Sequence, residues 1–386
     1  MGKIRIDNGY IRLCLFCAAG LVIGIGVRLV VDMLSNMEHS IAWNDGEYFG
    51  EETNGIPNGN GRFEKQGNIY SGDWTDGVLA YGRIETEKYV YEGEINNFKI
   101  NGFGICKYKD GHSYRGYWVN DNKEGLGLLR GTDGHFSFGY YKEGIVQKSE
   151  SQDFNVGDRV YGIDVSKHQG VINWQDLYMC CYSKGGVDGK YVKNPKFMQP
   201  VFFAIMKSTQ GTTLRDNRFE GNFSEAKRCG IIRGAYHFLS MNASGKSQAE
   251  YFISNSPLEK GDLPPVLDLE KNTAGGGSIS DAEFSKIIPI AKEWLSEVKK
   301  HFGVAPIIYT NMNIYKTFVA VDPVLRKYDL WIANPGTTKP EIDNCRIWQF
   351  SHNGKINGIP ESKVDLNLFN GNYADFEKYV SSKGIK

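Results

Sequence analysis

Two carboxylates set two residues apart close an apolar run in this chain: Pro264-Pro265-Val266-Leu267 leads into Asp268-Leu269-Glu270. On a strand, residues i and i+2 face the same side, so both acids project together. Burial and a neighbouring charge each disfavour ionisation, so such a pair holds one carboxyl protonated beside an ionised partner. Hydrolysis of a glycosidic bond uses that combination of acid and carboxylate. An Asp-x-Glu alone is a weak motif whose ordinary meaning is a solvated surface pair. Its place at the end of a buried apolar run is what shifts the weight toward catalysis.

Other apolar runs end in the same manner. Asp164 closes Gly162-Ile163-Asp164, and Lys207 leads into Ser208-Thr209-Gln210-Gly211. Tyr236-His237, Tyr309-Thr310 and Trp331 stand at further run ends, and two later runs contain Trp348-Gln349 and Val364-Asp365. Taken singly, Asp164 reads as a strand-end cap, Asp365 as a turn residue and His237 as a satisfied core histidine. Taken together they predict one polar face assembled from distant segments, with tyrosines and tryptophans suited to stacking on sugar rings. A metal centre of Asp164, Asp268, Glu270 and Asp365 lacks a second histidine at a strand end. None of the seven cysteines forms a Cys-x-x-Cys matched by a second Cys or His pair, so no metal or other cofactor is expected. The cysteines read mostly as packed thiols.

Residues so dispersed need a scaffold that gathers them. Eight short apolar runs supply one: Val160 to Asp164, Val201 to Lys207, Ile231 to Phe238, Pro264 to Glu270, Ala305 to Thr310, Asp329 to Asn334, Cys345 to Ser351 and Val364 to Leu368. Most are continuously apolar, as strands buried on both faces are. Between them lie helical patterns at Arg218 to Cys229, Lys246 to Asn255 and about 281 to 301. The last opens on a Ser280–Glu283 capping box and carries Pro289, which predicts a kink or break. Eight buried strands with helices in about 220 residues predict an α/β fold, a (β/α)-type barrel of parallel strands with its chemistry at the strands' C-terminal ends.

The chain has 386 residues, too many for one typical domain. It is 41% apolar, 13% aromatic and 23% charged, a folded composition. Lys plus Arg and Asp plus Glu are 45 each, so nothing points to phosphate neutralisation, and no nucleic-acid partner is expected. Neutral substrates such as sugars fit the balance.

Upstream, over 46–148, Tyr-x-Gly-x-(aromatic or apolar) recurs: Tyr70-Ser71-Gly72-Asp73-Trp74, Tyr91-Glu92-Gly93-Glu94-Ile95 and Tyr114-Arg115-Gly116-Tyr117-Trp118, with weaker copies at Tyr48 and Ser137. A second marker interleaves as Gly59-Asn60-Gly61, Gly82, Gly102-Phe103-Gly104 and Gly125-Leu126-Gly127. A period near 22 predicts stacked units, here all-β hairpins in an elongated twisted sheet. The pattern resembles MORN repeats. That resemblance implies a spacer or a surface for a protein or lipid partner.

At the N-terminus, Lys3, Arg5 and Arg12 precede an apolar run from Leu13 to Val27, resumed at Leu29-Val30-Val31. Together these reach the length of a bilayer span, and no small-x-small cleavage site follows. Residues 1–36 are expected to form an uncleaved transmembrane signal anchor, with the N-terminus cytoplasmic and the rest outside the cytoplasm.

Residues 155–386, and most clearly 160 to 381, resemble glycoside hydrolase family 25 lysozymes, the Chalaropsis-type muramidases. The resemblance rests on Gly162-Ile163-Asp164-Val165-Ser166, Ala235-Tyr236-His237-Phe238, Asp268-Leu269-Glu270, Ile308-Tyr309-Thr310, Trp331-Ile332-Ala333, Trp348-Gln349-Phe350 and Val364-Asp365-Leu366-Asn367, in the family's order. It implies a flattened barrel that cleaves the β-1,4 bond between N-acetylmuramic acid and N-acetylglucosamine in peptidoglycan. It further implies Glu270 as general acid, Asp268 as second carboxylate, and Asp164 and Asp365 as the remaining acids. Tyr236, Tyr309, Trp331, Gln349 and Gln210 would contact substrate, although Gln210 stands where many relatives carry Glu. The competing reading is a catalytically inactive wall-binding or scaffold protein acting through its repeats. The presence of all four acids weighs against it.

Overall fold

The computed structural model describes residues 40–147, 158–184, 191–271, 279–336, 338–359 and 363–386, without the side chains of 180–184 and 191–197. The expected membrane segment, 1–36, lies outside them. Among the described residues no helix is long and apolar enough to cross a membrane. The chain divides into two compact units. One runs to Gly111 and adds Trp118–Asp121; the other holds His112–Tyr117 and Asn122–Lys386.

Eleven antiparallel strands, Ser40–Trp43 through Ile145–Val146, follow in chain order in one sheet. Their hairpins turn on Asn54-Gly55, Gln66-Gly67, Asp76-Gly77, Asn97-Phe98 and Glu143-Gly144, all left-handed, as the tightest hairpin turns require. The two glycine markers pair across strands: Gly50 with Gly61, Gly72 with Gly82, Gly93 with Gly104, and Gly127 with Gly139. The reason is steric. Tyr48 and Tyr91 are fully buried, their hydroxyls donating to the carbonyls of Glu51 and Glu94 at 2.9 and 2.8 Å. Each ring lies across a partner-strand glycine, so a Cβ at Gly61 or Gly104 would overlap the phenol. The same seat is formed by Tyr114 on Gly127, while Gly82 is filled by Leu79 instead, so a bulky side chain seated on a glycine is the physical content of the period.

The second unit contains the barrel. Its strands are β1 Tyr161–Val165, β2 Phe203–Gln210, β3 Ile232–Phe238, β4 Val266–Asp268, β5 Ile307–Asn311, β6 Leu330–Ala333, β7 Cys345–Gly354 and β8 Val364–Phe369. Each falls on one of the eight apolar runs. β1 to β7 pair in parallel and in sequence. β8 closes the ring between β7 and β1 but is antiparallel to both, which corrects the expectation of parallel strands throughout. The cause is the connection. Residues 355–363 are too few for a helical crossover, which takes about a dozen residues or more, so the chain folds back as a hairpin arm.

Four helices fall close to their predicted places, α1 Phe219–Arg228, α2 Gly245–Asn255, α3 Asp281–Phe284 and α4 Ile287–Phe302, and a further helix, α5 Tyr373–Lys383, was not predicted. The capping box at Ser280 and Glu283 is formed. The helix breaks at Ser285, the residue whose carbonyl the Pro289 ring would strike. Cys106, Cys229 and Cys345 are buried.

The last repeat hairpin belongs to the barrel unit. Leu126, Leu128, Phe136 and Phe138 share a core with Val160, Phe202 and Phe203 at the N-terminal ends of β1 and β2. Phe136 packs edge-on against Phe202 and Tyr373 at 5.5 and 4.6 Å. Arg130 grips Glu377 of α5 through two hydrogen bonds of 2.7 and 2.8 Å. The partly buried Arg115 donates to the Gly230 and Val201 carbonyls.

Two glycine substitutions test this account in opposite directions. Gly104→Ala should lower stability by about 1–3 kcal/mol, because the Tyr91 phenol has no space to yield. Gly221→Ala, at an exposed position of α1 where an added Cβ meets nothing within 4 Å, should raise it by about 0.5–1 kcal/mol. Calorimetric unfolding of both variants reads the two signs; an unchanged Gly104→Ala would refute the seated-tyrosine explanation.

Candidate active site

The antiparallel course of β8 places its start beside the C-terminal end of β1, so Asp365 lies directly opposite Asp164. Gln349 of β7, fully buried, holds the two together. Its amide nitrogen donates to Asp164 Oδ2 at 2.8 Å and to Asp365 Oδ2 at 3.2 Å. Asn367, also fully buried, gives Asp164 Oδ2 a second donor at 2.7 Å. Both amides are held in turn: the Tyr309 hydroxyl donates to Gln349 Oε1 at 2.8 Å, and the Trp331 indole to Asn367 Oδ1 at 2.8 Å. Tyr309 and Trp331 lean on each other at 4.3 Å.

Asp268 and Glu270 leave the end of β4 on one side, with the fully buried Leu269 turned the other way. The Leu269 N–H donates to the Tyr309 carbonyl at 2.9 Å and its own carbonyl accepts from the Thr310 hydroxyl at 2.8 Å, which fixes the strand end. Asp268 is 6% exposed and its Oδ1 has no hydrogen-bond partner among the described residues, while Glu270 is only partly buried. The barrel thus delivers one acid to the surface of the cleft and keeps one inside.

The four carboxylates form one electrostatic cluster. Burial, then the charge of Asp365, pushes Asp164 up to about 8 despite its two amide donors. Burial is also the main cause that raises Asp268, Glu270 and Asp365; the Glu270 charge adds to the rise of Asp268. At neutral pH the cluster therefore retains protons, as a general acid requires. Among the described residues, no group of three or more His, Cys, Asp or Glu is arranged to hold a metal ion.

The other predicted residues divide. Tyr236 is partly buried on β3, with its phenol held protonated by burial and by the nearby acids. Gln210 lies at the end of β2, its carbonyl taken by the Lys207 ammonium at 2.7 Å. Trp331 is 2% exposed and Gln349 is buried, so in this structure they support the acids from behind the cleft. His237 is a core residue, between Thr209 and Gln248, stacked on Trp294 and pushed down to about 4 by burial. Three neighbours escaped the sequence reading. Asn367 stood inside a quoted motif without a role. Lys207 lies among the acids with no charge partner in sequence to flag it. His352, in the C-terminal part of β7, approaches Asp365 Oδ2 at 3.5 Å.

The raised Asp164 links the site to stability. A buried carboxyl raised to about 8 binds a proton that the unfolded chain, with an ordinary value near 3.8, releases. Folding stability therefore falls as pH rises from about 4 to about 8. Asp164→Asn should flatten that decline by up to about 1.4 kcal/mol per pH unit and make the variant the more stable protein at the alkaline end. Urea unfolding across this range would refute the burial account if both proteins showed equal slopes.

Comparison with known proteins agrees with this geometry. The family described as "Glycosyl hydrolases family 25" matches residues 163–359. The uncharacterized protein YegX of Escherichia coli K12 is 34% identical over 229 residues, covering 59% of this chain and 75% of its own. Lysozyme M1 of Streptomyces globisporus is 32% identical over 230 residues, 56% of this chain and 69% of that protein. Among solved structures, the bacterial lysozyme from Streptomyces coelicolor is 31% identical with a TM-score of 0.46, covering 58% of this chain and 98% of the other. With a family match over half its length and its acids gathered at one end of a closed barrel, the chain belongs to glycosyl hydrolases family 25, a glycoside hydrolase whose relatives include lysozymes.

Proposed function

We propose that the protein is an N-acetylmuramidase that cleaves the β-1,4 bond between N-acetylmuramic acid and N-acetylglucosamine in peptidoglycan. One observation carries this reading: Asp164, Asp268, Glu270 and Asp365, from the ends of three strands, β1, β4 and β8, influence one another's ionisation within a single cleft. Glu270, the partly exposed acid with a raised proton affinity, protonates the glycosidic oxygen as the bond to the anomeric carbon breaks. The unpartnered Asp268 Oδ1 accepts the acetamido N–H of the sugar and turns the amide oxygen toward the anomeric carbon. Attack by that oxygen supplies the electron pair lost with the leaving group, so no protein nucleophile is needed, a recognised exception among glycosidases. Glu270, now ionised, takes a proton from the water that opens the cyclic intermediate with net retention. Asp164 and Asp365, fixed through Gln349 and Asn367, line the cleft beside them, with Tyr236, Tyr309, Trp331 and Gln210 shaping the sugar site.

The same reading places the enzyme outside the cytoplasm. Residues 1–36 act as a single-pass anchor and the glycine-tyrosine sheet, of the MORN type, links it to the barrel and offers a surface to a protein or lipid.

The test uses the full chain and a turbid peptidoglycan suspension. Glu270→Gln should slow clearing by about 10²–10⁴-fold while its unfolding temperature holds or rises. Mass spectrometry of the released muropeptides should find N-acetylmuramic acid at the reducing ends. Equal activity of Glu270→Gln and wild type would move the acid elsewhere, and a glycosyl group trapped covalently on a carboxylate would exclude the acetamido route.

A further inference from the structure

We propose that Lys207 is a positioning residue for the reaction: a bulge in β2 and a neutral partner, Gln210, hold its ammonium beside Asp268 as a counter-charge, which keeps Asp268 ionised while its Oδ1 stays open to the acetamido N–H. The inference rests on the acetamido role given to Asp268 above and deepens it.

On a regular strand Lys207 and Thr209 would share one face, and Ser208 and Gln210 the other. β2 departs from this. Its pairing with β3 shifts register between Lys207, opposite Tyr236, and Thr209, opposite His237. Ser208 and Thr209 are both fully buried on the side away from the cleft. The Ser208 hydroxyl meets that of Ser256, just past α2, at 2.7 Å, and the Thr209 hydroxyl meets His237 Nδ1 at 2.8 Å. A bulge re-aims the side chains around it. Here it brings Lys207 and Gln210 together on the cleft side. The ammonium donates to Gln210 Oε1 at 2.7 Å and lies 5.0 Å from the centre of the Phe238 ring. Phe238 stands directly opposite Asp268 in the pairing of β3 with β4.

The chemistry of the partner decides what the ammonium does. A glutamate at 210 would close an ion pair and neutralise the charge locally. An amide fixes the ammonium in place and leaves its charge to act on the surroundings. That charge favours the carboxylate form of Asp268, against burial and the charges of Glu270 and Asp164, which disfavour it. Because the ammonium bonds to Gln210, Asp268 Oδ1 keeps no partner among the described residues. A buried acceptor left open is costly until a ligand supplies the donor.

The other groups facing the pair do not replace Lys207. Lys167, in the loop after β1, is exposed. Asp216, beyond β2, accepts from the Lys167 and Arg218 backbone N–H groups at 2.9 Å each. Glu270 and Asp164 are acids themselves, and burial holds the phenols of Tyr236 and Tyr309 protonated. His237, behind the sheet, is kept neutral by burial, with the Lys207 charge acting in the same direction.

The experiment is the pH dependence of kcat/KM on peptidoglycan for the full chain, Lys207→Met, Gln210→Glu, Asp268→Asn and the double variant of Lys207→Met with Asp268→Asn. Glu270→Gln is measured alongside. Lys207→Met should move the acid limb up by about 1 pH unit or more, because the carboxylate loses the charge that favours it. The alkaline limb should move less, since Lys207 acts on Glu270 more weakly than His352, Tyr309 and Asp365 do. Gln210→Glu keeps Lys207 but pairs it, and should move the acid limb the same way by a smaller amount. In Asp268→Asn there is no charge left to protect, so adding Lys207→Met should change kcat/KM by less than about twofold. An acid limb unmoved in both Lys207→Met and Gln210→Glu would overturn the proposal, as would an equal loss from Lys207→Met with and without Asp268. Failure of the underlying reading shows separately, as an Asp268→Asn or Glu270→Gln protein as active as wild type.

Discussion

Two carboxylates set face to face on adjacent strands, Asp164 and Asp365, are an arrangement that water would not tolerate unaided, and the cleft is organised around holding them. One buried amide, that of Gln349, donates to both, and a second, that of Asn367, takes a share of Asp164. Each amide is oriented by an aromatic side chain, Tyr309 or Trp331. The aromatic layer thus fixes the amides, the amides fix the acids, and Asp268 and Glu270 are presented alongside. An unpaired buried charge is expensive, and a relay of satisfied donors is the means by which a barrel of apolar strands accommodates several acids.

That relay exists because β8 runs against its neighbours. Were it parallel, Asp365 near the strand's beginning would lie at the barrel's far end, a strand length from Asp164. The apolar run Val364 to Leu368 reads alike in either direction, so its periodicity is silent on orientation. The informative feature was the brief connection after β7, which has no helical pattern and cannot cross the barrel. Strand positions were readable because burial on both faces leaves continuous apolar runs. Asp164, Asp268 and Glu270 were readable because they close such runs, and Asp365 because it interrupts one near its start. The burial of Trp331 and the capture of Gln210 by Lys207 were not, since each depends on neighbours distant in sequence. The approach of His352 to Asp365 depends on the register shifts in the pairing of β7 with β8, which no local pattern encodes.

The repeats show the same division. Their period was visible because a tyrosine and its glycine seat recur together, and a steric requirement leaves a sharper trace than a preference. The assignment of the last hairpin to the barrel unit was invisible, because Arg115, Arg130 and Phe136 occupy ordinary repeat positions while serving partners some 70 to 250 residues away.

This last hairpin has a consequence for how such proteins arise and are rebuilt. A gene fusion that joined a repeat array to a barrel at a neutral linker would leave two modules free to be exchanged. Here Phe136 and Arg130 have become part of the barrel's floor, so the seam has migrated into the repeats. Recombination, grafting of a foreign tether or dissection for crystallisation keeps that floor covered when the final hairpin stays with the barrel, and opens it when the cut follows the hairpin.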